Sequence, residues 1–296
     1  MAGPEYVASS RNSGNGMLLV MREKELSEFY PFAEAEGRLV ELEALAGKAY
    51  AACSAPWGVL IQGQGGLAHL LQPDSLQLEP GHPLPTQHGL GSSPTWQKTI
   101  YVPECDGGHG QGVDWGVNRE GISAAAGHRG SLYCTQLENC WELDHWMEMH
   151  CGNGTKQTYS HYFLRYDPGT DAWLRLPDAP LGTRLDKHPH QAMAEPRGLA
   201  ALQSGIFLLG AVDEASGGQS VFVYRPNQGS WTKAPLITDG SAAILVALED
   251  QLLALGLCGR VVQVLDERAA SWRRLPKLLP ASLSPIFDVA ALPAQS

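Results

Sequence analysis

Tyr224-Arg-Pro-Asn-Gln-Gly-Ser-Trp231-Thr-Lys-Ala234-Pro235 reads as a β-hairpin with a defined end. The alternation in Val221-Phe-Val-Tyr224 gives one strand. The polar stretch that follows supplies a tight turn. Trp231 opens the returning strand, and Pro235 ends it because proline cannot donate to a ladder. Two further copies align without gaps, Tyr166-Asp-Pro-Gly-Thr-Asp-Ala-Trp173-Leu-Arg-Leu176-Pro177 and Leu265-Asp-Glu-Arg-Ala-Ala-Ser-Trp272-Arg-Arg-Leu275-Pro276. In each, an apolar residue stands seven positions before a tryptophan and a proline four after it. A fainter copy covers 32–42, with Phe32, Leu39 and Leu42 at matching offsets and neither Trp nor Pro. Recurrence of one supersecondary unit marks a repeat architecture.

Upstream of each hairpin lies an apolar one. Segments 199–202 and 206–210 flank the turn 203–205, 242–248 and 252–256 flank 249–251, and 49–53 precedes 57–63. Runs this apolar fit strands buried on both faces. Each unit therefore holds four strands, two buried and two more exposed, which is the layout of a propeller blade.

The order of apolar hairpin, glycine, strand ending in Tyr-Asp, turn, Trp and Leu-Pro resembles the kelch repeat, most clearly over 158–280. The family's glycine doublet is reduced here to single glycines at Gly63, Gly210 and Gly256. The resemblance implies an all-β fold, a single kelch-type β-propeller domain over 1–296 with five or six four-stranded blades. Segment 287–292 looks like a first strand with nothing after it, and 16–21 like a second strand with nothing before it. A closing blade built from both termini (282–296 plus 14–44) follows, with blades near 46–98, 119–178, 195–236 and 239–277. Residues 99–118 are the place for strands of a sixth.

Bulk composition narrows the function. The chain has 296 residues, 33 Gly, 20 Pro and a formal charge of −10. That acidity, with scattered basic residues, argues against nucleic acid, which needs a basic stripe. No apolar run approaches the length of a membrane span. Six cysteines dispersed through a long chain suit a reduced, cytoplasmic setting rather than a disulfide scaffold.

Loop lengths point to a binding face. In antiparallel four-stranded blades, the loop between strands two and three shares a face with the linker to the next blade. On that face the sequence places an insertion over 136–158, linkers near 98–118 and 178–195, and a moderate loop at 212–220. Long loops are often functional. The insertion carries Trp141, His145, Trp146, Met147, Met149 and His150, residue types that anchor interfaces. The plainer alternative is that they tuck the loop onto the blades. The next linker holds Arg184, Lys187, His188 and His190. Arg119 and Arg197 each stand just before an inner strand. In kelch domains such a position turns towards the central mouth, where an arginine takes a carboxylate as a bidentate pair. A salt bridge between neighbouring loops is the alternative.

Catalytic signals are weak. Cys134, Cys140, His145, His150, Cys151 and His161 cluster in sequence but lack any paired zinc-ligand spacing. The glycines at 63–66 and 107–112 open no helix, and no nucleophile elbow, phosphate loop or dinucleotide fingerprint occurs. The expectation is a non-enzyme without cofactor or metal that binds a protein or peptide. Kelch propellers of this kind commonly serve as substrate receptors of cullin-type ubiquitin ligases. That role would engage ligase components through a segment not recognised in this chain. A cytoskeletal scaffold is the alternative, and a metal- or sugar-dependent propeller enzyme a more distant one.

Overall fold

The computed structural model describes residues 17–21, 26–32, 39–40, 51–56, 58–62, 68–72, 75, 77–82, 121–143, 155–170, 172–181, 198–212, 216–238, 242–256, 261–268, 270–280 and 288–292. Among them every regular element is a strand. No helix among them is long and apolar enough to cross a membrane.

The repeat unit explains the local structure. The apolar residue seven before each tryptophan proves to be its cross-strand partner: Tyr166 faces Trp173, Tyr224 faces Trp231 and Leu265 faces Trp272. The two Tyr–Trp pairs bring ring centroids to 5.2 and 5.3 Å, a contact geometry favourable for aromatics. Two of the turns are closed by the acid after the first-strand residue. Asp167 Oδ1 accepts from Gly169 N at 2.9 Å, and Asp266 Oδ1 accepts from Arg268 N at 3.0 Å. These are Asx turns, in which a carboxylate mimics a backbone carbonyl.

The strands follow the chain as successive hairpins. The N-terminal group is β1 (Leu18–Met21), β2 (Leu26–Phe29) and β3 (Leu39–Val40). Next come β4 (Ala51–Ala55), β5 (Gly58–Gln62), β6 (Ala68–Leu71) and β7 (Leu78–His82). Then follow β8 (Gly121–His128), β9 (Ser131–Leu143), β10 (Thr155–Asp167) and β11 (Ala172–Leu176). The fourth group is β12 (Gly198–Leu202), β13 (Gly205–Val212), β14 (Gln219–Arg225) and β15 (Ser230–Lys233). The fifth is β16 (Ala242–Leu248), β17 (Gln251–Gly256), β18 (Val262–Asp266) and β19 (Ser271–Arg274). The last strand, β20 (Asp288–Ala291), leaves its sequence neighbours and pairs with β1, Leu18 facing Ala291.

Five four-stranded antiparallel sheets result among the described residues. Their inner strands are neighbours in the cycle β20, β4, β8, β12, β16 and back to β20. Five apolar clusters fill the five seams of this ring. One joins Leu18, Phe29 and Val289 to Val246 and Leu253, where the last full sheet meets the terminal one. Residues 99–118, the place for a sixth set of strands, lie outside the described residues.

Small residues let the inner strands converge. A Cβ on Gly198 would stand 2.7 Å from Leu245 N, and one on Gly127 would stand 2.7 Å from Pro56 Cδ. Both glycines permit close approach of adjacent sheets. The terminal seam uses polar groups instead. Ala52 N donates to the buried Asp288 carboxylate at 2.8 Å, and Ser54 Oγ donates to Ala291 O at 2.7 Å while accepting from Ala291 N at 3.1 Å. Each buried hydrogen bond here spares an inner strand an unsatisfied backbone group.

Candidate interaction rim

The binding rim follows from strand direction. Asp288 meets Ala52 and Ala291 meets Ser54, so β20 and β4 run the same way. Gly127, late in β8, stands beside Pro56, just after β4, so β8 runs with them. With antiparallel pairing inside each sheet, the ends of second strands, starts of third strands and starts of inner strands gather on one rim. Leu143, Thr155, Gly121 and Gly198 are such ends.

The most prominent feature of that rim is a β-ribbon. β9 and β10 have 13 residues each and pair from Leu132–Tyr166 outward to Leu143–Thr155. β8 accompanies β9 only as far as Gly121–Leu137, and β11 accompanies β10 only from Leu176–Phe163. The outer part of the hairpin is therefore a two-stranded extension of its sheet. This corrects the expectation of a loop over 136–158. The ladder instead continues along both arms as far as Leu143 and Thr155. Thr155, Thr158, Tyr159 and Tyr162 are strand-favouring types that could have signalled this.

The predicted site residues are distributed as follows. Trp141 belongs to the ribbon, where its Cα register partner is Gln157. Arg119, Arg184, His188, His190, Arg197, His145 and Trp146 lie outside the described residues. In sequence Arg119 stands two residues before β8 and Arg197 one before β12. The sequence cluster of cysteines and histidines does not come together as one group. Cys134 is fully buried in the seam that also holds Cys53. Cys140 lies six residues further along β9, about 20 Å away at about 3.3 Å per residue. A single ion cannot be ligated by both. Burial pushes the Cys134 thiol well above its ordinary range, and neighbouring Cys53 adds to the shift.

Two charged contacts flank the ribbon's base. Arg175 lies over the Tyr162 ring, 4.1 Å from its centroid, and pairs with Asp178 at 2.9 Å. Both partners are about half exposed, so the ion pair orients Arg175 more than it stabilises the fold. Deeper in the same sheet Tyr133 stacks on Phe163, and Phe163 packs edge-on against Tyr224 of the next sheet. Burial raises the Tyr224 phenol, with Tyr133 reinforcing and Arg165 opposing the shift.

The solved chain from a nidogen/laminin complex is similar to this protein over 95 % of its length and 99 % of that chain. The TM-score is 0.52 and the identity 12 %. The fold is a β-propeller. At that identity the likeness carries architecture only. No family model matches the chain, and no curated protein sequence matches it. In the propeller each sheet is a blade, and the ribbon extends the second and third strands of one blade past the other two.

Proposed function

We propose that the protein is a non-catalytic, cytoplasmic propeller that binds a protein or peptide on the rim carrying the β9–β10 ribbon. The observation that carries this reading is the ribbon itself. It extends past β8 and β11 on the rim where β7 ends and β8 and β12 begin. Binding surfaces on rigid scaffolds are commonly built from such excursions. The kelch-like repeat over 158–280 supports the finer assignment, a substrate-recognition module of a cullin-type ubiquitin ligase receptor. The basic residues Arg119 and Arg197, next to the inner strands, would meet acidic groups of the target at the mouth of the ring.

The test compares the full chain with a register-matched truncation. Leu137 pairs with His161, so residues 138–160 can be replaced by a two-residue turn. Proximity labelling should lose its principal partners in the truncated form while the melt stays cooperative. Cullin subunits among the labelled proteins support the ligase assignment; a purely cytoskeletal set overturns it in favour of a scaffold. Unchanged partners would remove recognition from this rim.

A further inference from the structure

We draw no further inference here: the strongest candidate, the buried Cys53 and Cys134 thiols in the seam between the blades of β4 and β9, carries nothing because the upward shift of the Cys134 thiol is all that relates the two sulfurs, which stand on strands of different sheets.

Discussion

The indole of Trp231 donates to the main-chain carbonyl of Pro177 in the preceding blade at 2.8 Å. The same relation recurs one blade later, where Trp272 Nε1 donates to Pro235 O at 2.9 Å. Both prolines stand four residues after the tryptophan of their own repeat. The repeat unit therefore acts as donor to the blade before and acceptor for the blade after. Trp231 also tilts against the fully buried Phe163 of the previous blade at 4.8 Å between centroids. Trp231→Phe should cost about 1 kcal/mol through the lost hydrogen bond. Trp231→Ala should cost about 3 kcal/mol, because ring packing is lost as well. Urea melts check both; an unchanged melt for Trp231→Phe would mean that the hydrogen bond contributes nothing, and equal costs for the two variants that the ring packing contributes nothing.

Closure of the ring depends on a polar contact rather than a tryptophan. Asp288→Ala removes the acceptor for Ala52 N and Val289 N. It should destabilise by about 1–3 kcal/mol, the range for stranding a buried donor. Ser54→Ala deletes a reciprocal pair with Ala291 in the same seam and should behave similarly. The two changes share one seam, so a double-mutant cycle by urea denaturation should show non-additivity. Additive costs would mean that the two contacts hold the seam independently.

Gly198→Ala and Gly127→Ala test whether the inner strands are packed to their limit. Each new Cβ would lie 2.7 Å from its nearest neighbour, a backbone nitrogen in one case and a proline ring in the other. Overpacking of this kind costs about 1–3 kcal/mol. Thermal melts should fall for both, and unchanged midpoints would show that adjacent blades can part without cost.

His128 gives the stability a pH dependence. It is buried against the edge of Tyr133, and burial followed by the Arg129 charge holds its imidazole below the ordinary value of 6.5. The unfolded chain therefore takes up this proton more readily than the folded one. Its contribution is complete above about pH 6.5 and is lost as the pH falls towards the depressed folded value. Urea melts between pH 7.5 and pH 5 should show a loss on acidification that is smaller in His128→Gln. Parallel profiles for the two proteins would remove His128 as the source.

Much of the architecture was legible because the repeat carries its own chemistry. The spacing from Tyr224 to Trp231 is the length of a four-residue turn between paired positions, and the polar residues inside it can form nothing else. The apolar runs at 199–210 and 242–256 could only be buried strands. The ribbon was read short. Leu137, Trp141 and Leu143 alternate with Gln136, Glu138 and Glu142 in the period of a strand, but nothing local shows that β9 and β10 run past β8 and β11. The site residues at Arg119, Arg184, His188, His190, Arg197, His145 and Trp146 lie outside the described residues, and Trp141 alone of the set is placed, on β9.

By itself, the sequence determined the blade: two apolar strands, a tight turn and a tryptophan returning towards a proline, all local relations within about a dozen residues. Tertiary structure alone decided what each unit does for its neighbour. That Pro177 lends its carbonyl to Trp231 and that Asp288 holds Ala52 are relations between residues 54 and 236 positions apart. Local pattern cannot encode them, because a backbone carbonyl is the same in every residue. Only the closed ring brings a particular carbonyl under a particular indole.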